Sequence, residues 1–239
     1  MRKKNIIFSL LTLLLVSFVV VGCSSKQTSE KTTVGTPTLF FHGFGSSYHA
    51  EEQMVNAAKK AGVTKESIIA DVTPENEVIL KGKFSKNVKN SIVEDNQNGS
   101  SKNVLAVIKK LQANYKFKKI NLVGHSFGNL MIANYINENY ADKKLPVMNK
   151  VVSIEGHYNG WLGEAVGRSG KIVDPKTGKP DKFAHGFKKL LGLRKHYPKQ
   201  TKVLNIYGDK KDGSKGDGSV SVASTQTYRY LINNRAKSY

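Results

Sequence analysis

Lys119-Ile120-Asn121-Leu122-Val123-Gly124-His125-Ser126-Phe127-Gly128-Asn129-Leu130-Met131-Ile132-Ala133 is the stretch that decides the fold. Ile120 to Val123 is a short β-prone run, Gly-x-Ser-x-Gly follows, and the stretch closes in residues that suit a helix. Strand, tight turn, helix is the order in which that pentapeptide presents a nucleophilic serine. A serine at the apex of such a turn is held in sparsely populated backbone geometry, at a cost of ~1–3 kcal/mol. Its neighbours two residues away must be small, or side chains collide where strand and helix close together; Gly124 and Gly128 meet that need. The helix that follows points the positive end of its dipole at the hydroxyl, which favours a developing anion. The alternative is a β-turn-α connection whose glycines serve packing alone.

Upstream, Thr38-Leu39-Phe40-Phe41 reads as a buried strand ending in His42-Gly43-Phe44-Gly45. Ser46 or Ser47 caps a helix through Glu51, Met54, Val55 and Ala58 to the stop at Gly62. Ser67–Val72 and Glu77–Phe84 read as strands, and 90–101 as a polar, turn-rich segment. Ser101 caps a helix whose apolar positions Val104, Leu105, Val107, Ile108 and Leu111 follow a 3.6-residue period. Downstream, Lys150–Ile154 is a strand that delivers Glu155-Gly156-His157 to the carboxyl edge of a sheet, where active-site loops collect. Residues 161–199 read as loop: either a cap over a pocket, with Trp161, Phe183, Phe187 and Leu190 as its lining, or a solvated lysine-rich insertion. Lys202–Gly208 is the last clear strand, and Val222–Arg235 a helix. Strands alternating with helices predict an α/β fold: a mostly parallel sheet with helices on both faces, in three layers.

The N-terminus is read separately. Arg2, Lys3 and Lys4 precede an apolar run from Ile6 to Val21, short for a membrane span of about 20 residues. Val20-Val21-Gly22-Cys23 resembles the lipobox of bacterial lipoproteins, which implies a signal peptide over 1–23 and lipidation of Cys23, the one cysteine. Residues 24–36 read as a flexible tether and 37–239 as the folded domain. That predicts a protein lipid-anchored at the extracytoplasmic face of the cell membrane. The chain carries a net charge of +20, or +17 once Arg2, Lys3 and Lys4 are removed. With no nucleic-acid motif and no stacking platform, anionic lipids and wall polymers are the expected partners, and nucleic acid is not.

Strand-His-Gly, then Gly-His-Ser-Phe-Gly, then Asp217-Gly218-Ser219-Val220, in that order, resembles the α/β-hydrolases. The resemblance is strongest to exported or surface-anchored hydrolases of low-GC Gram-positive bacteria, and it covers about 36–239. It implies Ser126 as nucleophile, the N–H groups of Phe44 and Phe127 as oxyanion donors, and Asp217 as the acid, with Asp209 the alternative. Asp212-Gly213 and Asp217-Gly218 also read as ordinary turn dipeptides. His42 is expected to be structural, bonded to the loop backbone. The implied reaction is hydrolysis of a small ester or lipid substrate through an acyl-enzyme, with no metal and no organic cofactor. The family order ends in a histidine after a last strand, yet none of His42, His49, His125, His157, His185 and His196 follows Asp217. Three explanations stay open: a longer relative carries that histidine; the chain is a non-catalytic, lipid-anchored binding protein; or His157 supplies the base. Activity of this chain is expected to be weak or absent.

Overall fold

The sheet that carries the elbow has seven strands: β1 (Thr38–Phe41), β2 (Ser67–Val72), β3 (Val78–Lys81), β4 (Ile92–Asn96), β5 (Lys119–His125), β6 (Val147–Ile154) and β7 (Lys202–Ile206). Their order is β7-β6-β5-β1-β4-β2-β3, parallel throughout except where β3 runs antiparallel to β2 at the edge. The structure, a computed structural model, describes residues 30–96 and 99–239. The segment expected to be a signal peptide, with Cys23, and the first residues of the expected tether lie outside the described residues.

Parallel strands buried on both faces need continuous apolar character. β5 supplies it with Ile120, Leu122 and Val123, all buried. Helices α1 (His49–Lys60), α2 (Ser101–Asn114) and α3 (Phe127–Asn139) cover the sheet. The larger core packs Leu39, Phe41, Leu122, Val107, Leu111 and Ile132 together; the smaller packs Phe40, Val55, Ile92 and Val123. Register aligns the carboxyl ends of the central strands: Phe41 lies opposite Gly124, His125 opposite Ile154, and Ile154 opposite Ile206. The residues that follow β1, β5, β6 and β7 therefore emerge side by side at one edge.

Several expectations need correction. Residues 92–96 are a central strand and not turn: Ile92, Val93, Glu94 and Asp95 are all buried. Two acids disguise the strand in sequence; burial, with the nearby charge of Asp71, pushes the Asp95 carboxyl well above the usual range, so it can sit there neutral. Within the expected tether, Thr32–Thr33 pairs in parallel with Tyr115–Lys116 and Val34 is buried, so the packed domain begins at Lys31. The expected strand Glu77–Phe84 shortens to β3. Tyr48, with no side-chain bond, caps α1 in place of Ser46 or Ser47, and Ser100 forms a capping box with Asn103 at α2 in place of Ser101.

Residues 161–199 are not plain loop. They hold α4 (Ala165–Ser169), an antiparallel pair of Ile172–Asp174 with Lys179–Pro180, α5 (His185–Leu190) and α6 (Leu193–His196). Phe187, Leu190, Leu193 and Tyr197 are fully buried in the main core, so the latter half of this segment belongs to the fold. The expected final helix divides at Thr227 into α7 (Val222–Gln226) and α8 (Tyr228–Ile232). Beyond it the chain returns to the outer edge of β7, where Ser238 forms a parallel bridge with Lys202.

Candidate active site

Ser126 stands between the last residue of β5 and the first of α3, with φ 48° and ψ −115°. A positive φ in a non-glycine residue persists only when its surroundings enforce it. Here the Ser126 N–H donates to the Ile154 carbonyl at 2.9 Å. The Asn129 amide donates to the carbonyls of Ile154 at 2.8 Å and Ser126 at 3.2 Å, tying the first turn of α3 to β6. Close approach accounts for both glycines. A Cβ on Gly124 would lie 2.6 Å from the Asn129 Oδ1, and one on Gly128 would lie 2.1 Å from the Phe41 carbonyl oxygen.

The loop after β1 comes against the serine. A Cβ on Gly43 would lie 3.2 Å from the Ser126 Cβ and 3.4 Å from the His125 Nδ1. His42 is buried and its Nδ1 donates to the Gly43 carbonyl at 2.8 Å, the backbone-bonded role expected of it. Phe44 is 88% exposed, and its ring meets that of Phe127 edge-on with centroids 6.1 Å apart. Together with Ser126, these two aromatics line a cavity of about 630 Å³ whose other walls include Trp161, Phe187, Leu190 and Val220. Three of the four residues expected as cap lining are thus at the cavity. Phe183 stands behind them, packed on Phe187 at 5.2 Å. Among the described residues no Lys or Arg lines the cavity, and Glu164 is the one carboxylate that does.

Asp217 is half-buried, and its Oδ1 accepts the N–H groups of Ser219 and Val220, both at 2.7 Å. Its charge is felt at His125 and at Glu155. The loop it organises places Ser219 and Val220 in the cavity wall. Asp209 instead folds back on Lys211, accepting its N–H at 2.9 Å with the ammonium 3.7 Å away.

Two residues take a more central place than their sequence signal suggested. His157 lines the cavity with Ser126 and stacks on Phe127 at 6.2 Å. Burial holds its imidazole below the usual value, hence neutral, and its buried Nδ1 meets no hydrogen-bond partner among the described residues. His125 is likewise pushed down, chiefly by burial, with His42 adding and Asp217 opposing. Glu155, with φ 49°, accepts the Gly208 N–H on Oε1, while its Oε2 is buried without a partner. Burial, aided by Asp217 and opposed by the Gly208 bond, pushes its carboxyl up. The signal available for Glu155 was a lone acid directly after the apolar end of a strand adjacent to the elbow.

The fold agrees with solved structures. The lin2722 gene product of Listeria innocua superposes with a TM-score of 0.77 at 22% identity, over 86% of this chain and 82% of that one. A provisionally named cell surface hydrolase from Lactobacillus plantarum WCFS1 gives 0.63 at 15%, over 85% and 79%. No curated protein matches the sequence. The family model for alpha/beta hydrolases of unknown function, DUF915, matches residues 25–239. With that match spanning nearly the whole chain, and with a parallel sheet, a strained serine and a loop pressed against it, the chain belongs to the DUF915 family of alpha/beta hydrolases.

Proposed function

We propose that the chain is an exported, lipid-anchored serine hydrolase that cleaves carboxylic esters through an acyl-enzyme on Ser126. The observation that carries this reading is the φ of 48° at Ser126, enforced at the mouth of an apolar cavity. The Ser126 Oγ attacks the ester carbonyl carbon, and the carbonyl oxygen becomes an anion held by the N–H groups of Phe44 and Phe127. The alcohol then leaves with the proton taken from Ser126, and water releases the acyl group by the reverse steps. Within this sequence the proton passes through His157, the histidine that shares the cavity. Asp217 is favoured over Asp209 as the acid because the loop it organises puts Ser219 and Val220 in the cavity wall, whereas Asp209 folds back on Lys211. No hydrogen bond among the described residues orients the His157 Nδ1, and an imidazole without that bond is a poor relay, with losses of the order of 10⁴ in turnover when orientation fails. Turnover is therefore expected to be slow.

The anchor is Cys23, placing the domain outside the cell membrane, beside anionic lipids and wall polymers that suit a surplus of +17. No helix among the described residues is long and apolar enough to cross a membrane. The unoriented base also favours a second reading, a lipid-anchored binding protein that keeps the fold. Nitrophenyl esters of short acids, assayed with the full chain, separate the two. Turnover above buffer that disappears in Ser126→Ala and in His157→Gln supports the enzyme and its base; turnover lost only in Ser126→Ala removes His157 from the mechanism. Equal blanks in all three support the binder.

A further inference from the structure

Cations gather at the edge of the sheet opposite the Ser126 cavity. A second cavity, of about 410 Å³, opens between the end of α3, the start of β6 and the segment joining α6 to β7. It lies where the parallel strands begin, whereas Ser126 lies where they end. The eight residues of β6, at about 3.3 Å each, separate the two by roughly 25 Å. Lys143, Lys195, Lys199 and Arg235 line it, together with Tyr140 and His196, whose rings stack 3.7 Å apart at 17°.

None of these four cations is paired with a carboxylate among the described residues. Arg235 is held in place, its Nε donating to the Tyr197 carbonyl at 3.0 Å. Asp142 is the one acid in the lining among the described residues, and its Oδ1 is engaged by the Lys144 N–H at 2.9 Å. The C-terminal end of α3 adds about half a negative charge. Four cations against Asp142 and that half-charge leave roughly +2.5 around one concave space.

We infer that this cavity is a binding site for a phosphodiester chain, a flexible polymer with one negative charge on each repeat. Three lysines on long stems suit charges spaced along a mobile backbone better than a single planar carboxylate, which calls for the fixed fork of arginine. A concave site suits a chain rather than a flat membrane, which a basic face would meet. The inference rests on the anionic partner named above and not on the hydrolytic reading, so either can fail alone.

The probe is a fluorescent poly(glycerol phosphate) of about ten units, titrated onto the full chain while esterase activity is followed separately. Lys143→Gln/Lys195→Gln/Lys199→Gln is expected to weaken binding at least about tenfold. It is also expected to reduce the slope of log K against log salt by about 2, the release of two to three counterions. Activity stays within about twofold. Lys102→Gln/Lys109→Gln/Lys110→Gln on α2 removes the same charge elsewhere and should change affinity less than about twofold. Equal weakening by both triple variants would overturn the site in favour of a diffuse field. Absence of polymer binding would overturn site and partner together. Polyglutamate bound as tightly as the phosphate polymer would remove the phosphodiester assignment. Capture by phosphatidylglycerol vesicles in preference to the polymer would make the face a membrane contact.

Discussion

Gly128 packs against the end of β1 so closely that a Cβ there would lie 2.1 Å from the Phe41 carbonyl oxygen and 2.9 Å from that of His42. The backbone of the loop that carries Phe44 is thereby held against the first turn of α3. Gly128→Ala must push the two apart. Overpacking of this kind typically costs about 1–3 kcal/mol, here expected near the upper end because backbone, not a flexible side chain, has to move. On the proposed mechanism, displacing the loop by a fraction of an ångström also misplaces the Phe44 amide, and a 1 Å error can cost about 10² in rate. Urea unfolding and kcat/KM on a nitrophenyl ester should both fall. A variant as stable and as active as the parent would show that the contact is absent.

Phe44 offers the opposite case. Its ring is 88% exposed, so Phe44→Ala should leave stability within about 0.5 kcal/mol. The backbone N–H remains, and the ring's contribution is a wall at the mouth of the cavity. Loss of about 1 kcal/mol of apolar contact with an aryl ester predicts a rise in KM of about fivefold with kcat unchanged. A fall in kcat alone would mean that the ring, and not its amide, acts on the reacting centre.

The hydroxyls of Tyr197 and Tyr228 meet at 2.8 Å in the core, where both residues are almost fully buried. Tyr228→Phe leaves the Tyr197 hydroxyl without its partner, at a cost of about 1–3 kcal/mol. Removing both hydroxyls spares that penalty. Tyr197→Phe/Tyr228→Phe should therefore cost less than the two single changes added together, a non-additivity that a double-mutant cycle in denaturant measures directly.

The elbow was legible in the sequence because its constraints are local: a β-prone run, small residues at 124 and 128, and a helix-suited tail determine one another within fifteen residues. The strand before Gly43 and β7 were legible for the same reason. β4 was not, because Glu94 and Asp95 advertise solvent, and only the neighbouring strands and α1 make their burial tolerable. The segment 161–199 misled in a similar way. Its lysines mask Leu193 and Tyr197, and Phe187, legible only as cap lining, joins them in the core once α5 and α6 lie on α3. The turn that holds Ser126 and the strand before Gly43 could be read, whereas the Asn129 tie from α3 to Ile154, 25 residues away, exists only in three dimensions.

Glu51 closes the account of the buried acids. It sits 1% exposed in the first turn of α1, the helix that follows the Phe44 loop. Burial first, and the neighbouring Glu94 second, push its carboxyl up to about 7 from an ordinary 4.5. Below about pH 4.5 both folded and unfolded chains hold the proton, and no penalty exists. Between 4.5 and 7 the unfolded chain releases it and the folded chain does not, so stability falls as pH rises, then levels off above 7. The gap corresponds to at most about 3 kcal/mol. Glu51→Gln removes the titration while keeping the shape. The variant should match the parent at pH 4.5 and exceed it by about 2–3 kcal/mol at pH 8, as read from urea midpoints with unchanged m values. Parallel pH profiles for the two proteins would place the Glu51 carboxylate in water, and α1 away from β4.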